Sequence, residues 1–247
     1  MSGSAVLKRQ ENYRVRVARE RRERMRAHLL NSVMIVCSGE DSGSPAVIED
    51  VIRHADVSRG TFYKYFDSLD QAMCELAQDM ADDMAGGGIV HVYDGIEDPL
   101  IRTAAGFLLY LTRARIEPEW GGFVCRVGLL NASGVLAGKI VTDIEAGIAS
   151  GDYVIPSLPV ALDLVIGTKI EAIQRIISGG VGPDYLCGMT SMILRALGVA
   201  PVKADHVVAG AYQWICTQAP DHLHWWKEMG AETPPAQAEG KTGRDAA

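Results

Sequence analysis

The stretch that most restricts the fold of this chain is residues 44–66, where two helical apolar faces meet across a tight turn. Ile48, Val51, Ile52 and Ala55 recur at i, i+3, i+4 and i+7, one face of a helix. Pro45 suits a first helical position, with Ser44 as its N-cap. Beyond the turn, Ser58 is a second cap, and Val57, Phe62 and Phe66 are spaced so that both rings point inward. Arg59, Thr61, Tyr63, Lys64 and Tyr65 are then left facing outward from a short, roughly three-turn helix. Upstream, Leu30, Val33, Met34 and Cys37 share one face and predict a helix over residues 20–37, broken by glycines and short polar residues at 38–44. An apolar helix, a turn and a short helix with outward polar groups make a helix-turn-helix. Such a unit seats its second helix in the major groove, where Arg59 has the donor fork that suits guanine and Gly60 leaves room for close approach.

Charge distribution agrees with a nucleic-acid partner, although the total of −7 does not. Residues 1–66 hold 12 Lys/Arg against 8 Asp/Glu, a net of +4, and the remainder holds 12 against 23, a net of −11. A basic front on an acidic body is what a small module meeting a polyanion requires. Residues 1–19 are expected as a basic flexible arm, either a solvated tail or a strand that follows phosphates or enters a minor groove.

At these residues the sequence resembles the TetR family of transcriptional regulators. The matching string is Val47-Ile-Glu-Asp-Val-Ile-Arg-His-Ala-Asp-Val-Ser-Arg-Gly-Thr-Phe-Tyr-Lys-Tyr-Phe66, and the close likeness covers residues 25–75. The resemblance implies that Arg59, Gly60 and Thr61 face bases, that Tyr63, Lys64 and Tyr65 hold phosphates, and that Ser44, Pro45 and Ser58 lie at helix ends near the DNA backbone. Leu69 stands where the family often has a lysine, and Tyr65 replaces a common histidine, so a charged contact is missing at both.

The expected fold is all-α: a helix-turn-helix domain at 20–68, a helical regulatory and dimerisation domain at 69–228, and a disordered tail at 229–247. Further helices are predicted near 98–114, 118–131, 133–150, 158–179, 183–198 and 203–217, and Gly86-Gly87-Gly88 reads as a helix stop and linker. The resemblance implies a homodimer built on the helices at 158–179 and 183–198. Val165, Ile166, Ile173, Ile177, Met189, Met192 and Ile193 are its apolar candidates, with intrachain core as the alternative. It also implies a pocket for a small-molecule effector. Phe107, Tyr110, Trp120 and Phe123 fall in the pocket-forming helices, although aromatics at helical spacing also serve as plain core.

Other chemistries find little support. Cys37, Cys74, Cys125, Cys187 and Cys216 are scattered without a CxxC pair, which predicts free thiols in a reducing cytoplasm. The basic N-terminus lacks an apolar segment of the secretory kind, and no apolar run is long enough to span a membrane. His206, Cys216, His222 and His224 match no zinc spacing, and no nucleophile elbow is present, so neither a metal, a cofactor nor a catalytic site is expected. The reading is a repressor of double-stranded DNA with a palindromic operator. Its alternatives are an architectural DNA binder without effector, or a repurposed fold that binds ligands or proteins.

Overall fold

A computed structural model describes residues 3–38, 46–127, 134–182 and 184–227. Ser44, Pro45 and the tail from 228 onward lie outside the described residues. Within them all the regular secondary structure is helical, as the patterning predicts. Helix α1 spans Gly3–Ser38, so the stretch expected as an arm continues the first helix instead. Pairs one turn apart support that extension on the helix surface, with Arg16 on Glu20 and Arg19 on Glu23.

Helices α2 (Ile48–His54) and α3 (Arg59–Phe62) follow. The N-cap of α2 is Val47, not Ser44, because the Asp50 carboxylate accepts from the Val47 N–H at 3.3 Å. Helix α3 is a single turn, shorter than its sequence suggests. Gly60 and the aromatic run after it are weak helix formers, and the chain tightens into i→i+3 bonds from Lys64 and Tyr65 to the carbonyls of Thr61 and Phe62. Leu29, Val33, Val51, Phe62 and Phe66 close a dry core beneath it.

Helix α4 (Leu69–Ala85) starts on a Ser68 cap whose hydroxyl accepts from the Gln71 N–H. The glycines after it do not form a linker, because α5 (Gly87–Asp94) begins at once. Helix α6 (Pro99–Ile116) is capped by Asp98 and is buried on almost every side. Around it pack α7 (Pro118–Val127), α8 (Gly134–Ala149), α9 (Leu158–Ile177), α10 (Tyr185–Ala196) and α11 (Pro201–His222). No helix of the described residues is long and apolar enough to cross a membrane.

The turn between α2 and α3 is unusual in its chemistry. The N–H of Val57 donates to Ile52 O and that of Asp56 to Arg53 O, the paired bonds of a Schellman ending. Asp56 takes the left-handed position with φ of 50°, where α10 uses Gly198 in the same arrangement. His28 Nε2 donates to the Ala55 carbonyl at 2.9 Å and fastens this turn to α1. Asp56→Gly should therefore hold or raise stability. Asp56→Val, β-branched and forced to the same φ, should lose about 1–2 kcal/mol in denaturant unfolding. Equal midpoints for the two variants would remove the strain from this account.

Candidate nucleic-acid interface and internal cavity

The outward face of α3 is organised by its own cap. Ser58 Oγ accepts from the Thr61 N–H at 3.1 Å and lies 2.9 Å from the Thr61 hydroxyl. Arg59 is exposed but not loose: Nη1 donates to Glu49 Oε1 of α2 at 2.7 Å, and its guanidinium lies 5.8 Å from the Tyr63 ring centroid. Lys64 and Tyr63 face solvent, whereas Phe62 and Phe66 anchor the segment from below. Tyr65 departs from the outward set. It is half-buried against α1, with the Arg22 guanidinium 6.0 Å above its ring. Arg59, Gly60, Thr61, Tyr63 and Lys64 thus share one accessible strip, and Ser58 forms its edge.

Arg26 joins this unit to the rest of the molecule. It donates to Glu75 at 2.6 Å and to Asp79 at 3.3 Å, both on α4, while its guanidinium lies 6.0 Å from the Phe66 ring. A second junction is made by α7, where Arg126 Nη1 donates to the Cys37 carbonyl at the end of α1. Gly122 packs so closely on Ser38 there that a side chain would collide with its backbone.

Between α4, α5, α6, α8 and α9 lies a cavity that opens to solvent. Met84, Ile89, Leu109, Ile140, Ile144 and Val165 give it an apolar lining, and Phe107, Tyr110 and Tyr93 add rings. Gly106 lets Tyr93 lie across α6, since a methyl group there would strike the Tyr93 hydroxyl. The polar groups are Thr103, Lys139, Asp143 and Lys169. Lys169 is fully buried, with Nζ 4.4 Å from the Tyr110 centroid and 5.5 Å from that of Phe107. Burial pulls its pKa down to about 8, with Asp143 opposing. Burial pushes Asp143 up to about 6, against Arg102, whose Nε lies 3.3 Å from the carboxylate, and against Lys139 and Lys169. Burial also raises the Tyr110 phenol, whose hydroxyl has no hydrogen-bond partner among the described residues.

Two of the four aromatics singled out in the sequence, Phe107 and Tyr110, line the cavity. Trp120 and Phe123 do not. They are core residues of α7, and Trp120 packs on Tyr110 and on the Arg113 guanidinium, 4.7 Å from its centroid. Sequence reasoning passed over Lys169 and Asp143. The signal was there: Lys169 lies four residues after Val165 and four before Ile173, a lysine on a core stripe.

The residues offered for a dimer interface divide in the same way. Val165, Ile173 and Ile193 are buried within this chain, Val165 in the cavity wall and Ile173 against Gly121 of α7. Ile166, Ile177 and Met189 are half-buried. Met192 is 57% exposed, and Val160 and Leu164 of α9, absent from the sequence set, are 51% and 37% exposed. Helical period explains the error, since the most regular apolar face of α9 is the one that packs inward.

No family model and no curated protein matches the chain. Solved structures do share its fold. RolR in complex with resorcinol is 26% identical with a TM-score of 0.56, over 77% of this chain and 95% of RolR. A TetR-family transcriptional regulator from Pectobacterium atrosepticum is 24% identical with a TM-score of 0.50, over 74% and 98% of the two chains. A gamma-butyrolactone receptor, an ArpA-like protein, is 13% identical with a TM-score of 0.56, over 80% and 99%. The chain thus has the fold of TetR-family transcription regulators, and its string at residues 47–66 resembles that family's helix-turn-helix.

Proposed function

We propose that this chain is a cytoplasmic homodimeric repressor that holds a palindromic operator through α3 and releases it when a small molecule fills the cavity. The observation that carries this reading is the double engagement of α4. Near its middle, Glu75 and Asp79 hold Arg26 of the DNA-reading unit, and near its end Met84 forms cavity wall. A ligand that displaces Met84 therefore acts on the same rigid helix that orients α1. Release requires only that the effector prefer the orientation that misfits DNA. That RolR, which shares this fold, was solved in complex with resorcinol, and that another protein of the fold is a gamma-butyrolactone receptor, supports a small-molecule effector here.

Dimerisation is assigned to the exposed apolar positions of α9 and α10, Val160, Leu164 and Met192. Two copies joined there would present two α3 segments to successive major grooves, about 34–36 Å apart. On this reading no residue is given a catalytic role.

The primary test is selection of random duplex DNA by the purified protein, read by sequencing. A short palindrome should be enriched. Arg59→Ala should relax the choice at one base pair of each half-site, and an unchanged motif would remove Arg59 from base reading. Lys64→Ala should weaken all sequences alike and lower the slope of log K against log salt by about 1. A slope equal to that of the unaltered protein excludes a phosphate contact by Lys64.

The cavity carries a stability cost with a definite sign. The folded chain binds fewer protons at Lys169 than the unfolded chain between pH 8 and 10.5, so the penalty is full below about pH 8 and gone above 10.5. Lys169→Met should therefore raise Tm at neutral pH by about 2–8 °C. Its advantage over the unaltered protein should shrink as pH rises from 8 to 10.5. An advantage independent of pH would mean that the lysine charge is not what destabilises the fold.

A further inference from the structure

The cavity is more selective than its apolar lining suggests. Its carboxylate, Asp143, is already engaged by Arg102 at 3.3 Å. Lys169 is buried at 3% exposure, with its ammonium against the faces of Tyr110 and Phe107 and the Asp143 carboxylate acting on it only through space. Ring faces attract a cation but accept none of its N–H donors well, so they do not replace the hydrogen bonds that the ammonium gives up on burial. Buried charge in that condition is costly until a counter-charge arrives. The Tyr110 hydroxyl, buried and unpartnered, is a second unmet group on the same wall.

We propose that the effector is a small aromatic carboxylate bearing a ring hydroxyl, with its carboxylate on Lys169 Nζ and its ring against Phe107 and Tyr110. The inference rests on the reading of this cavity as the effector site. A lysine buried against ring faces favours a flat monoanion, whereas a phosphate dianion needs more converging donors than Lys169 and Lys139 supply on a largely apolar wall. Carboxylate oxygens accept two of the lysine protons and restore charge balance inside the protein. An aromatic body matches rings that pair in offset or edge-on geometry. A ring hydroxyl gives the Tyr110 phenol the partner it lacks. The neutral diphenol bound by RolR is thus a different class of ligand from the one this cavity is built to hold.

The test is calorimetric titration of the full chain with meta-hydroxybenzoate and with its neutral counterpart, meta-hydroxybenzyl alcohol. Resorcinol and benzoate serve as further probes. Meta-hydroxybenzoate should bind at least about tenfold tighter than the alcohol, and Lys169→Met should bring the two affinities together. Benzoate should bind more weakly than meta-hydroxybenzoate in the unaltered protein, and Tyr110→Phe should narrow that gap. A folded Lys169→Met protein is checked by its thermal transition, and Tyr110→Phe supplies an independent reading if the first variant unfolds. The alcohol or resorcinol binding as tightly as the acid would overturn the anion assignment while leaving the effector reading intact. If no probe binds, the proposal also fails. If a wide panel of ligands of either charge leaves operator affinity unchanged, the effector reading itself falls.

Discussion

Everything in the body of this protein is arranged around α6, a helix that has to be wrapped on all sides. Phe107, Leu108, Leu109, Leu111 and Ala114 cover its circumference rather than one stripe, and a helix apolar all round is stable only inside other helices. Five helices supply that wrapping. The polar groups that α6 carries inward must then find partners in the dry interior. Arg113 does so fully: it pairs with Asp83 of α4 and Glu117, and its guanidinium is sandwiched near Trp120 and Trp225. The face one turn away, at Gly106, Phe107 and Tyr110, is where wrapping is incomplete, and there the cavity opens.

The DNA-reading unit hangs on this body through α1, which is held at two points of different character. Ion pairs from Arg26 to α4 are half exposed, so their strength is modest and their geometry can change at little cost. The contact at the other end is close-packed, with Gly122 against Ser38 and Arg126 on a backbone carbonyl. A tight joint beside an adjustable one is a hinge in mechanical terms. In the proposed release, α1 would turn about its C-terminal end as α4 shifts, with the small core of Phe62 and Phe66 kept together.

Local pattern made the helix-turn-helix legible in the sequence, since its apolar spacing, its Ser58 cap and its outward residues all lie within about twenty neighbouring positions. The same reasoning misplaced Tyr65 and overextended α3, because periodicity does not say which side of a short segment α1 will cover. Long-range features were less legible for the same cause. Val165 and Ile193 look like an interface until α6 is known to lie beneath them, and Trp120 looks like a cavity residue until Arg113 is found stacked on it. The charged cavity residues were visible only as interruptions, Lys169 in the stripe of α9 and Asp143 between Ile140 and Ile144 in α8. An interruption in a core stripe marks a buried polar group, but its partner comes from another helix and has no local signature.

The charged groups of the cavity and its wall residue nearest the DNA-reading unit, Met84, sit on different helices, and that division bears on how a signal could pass. Lys169 and Asp143 belong to α9 and α8, which pack on α6 and make no bond to the DNA-reading unit in the described residues. Met84 belongs to α4, which does. A molecule anchored by its charge on α9, as proposed, would be fixed with respect to the body and would meet the helix that leads to DNA at Met84. Affinity and response then depend on different atoms of the ligand. The charged group decides whether a molecule stays, and the volume it carries toward Met84 decides how far α4 must move.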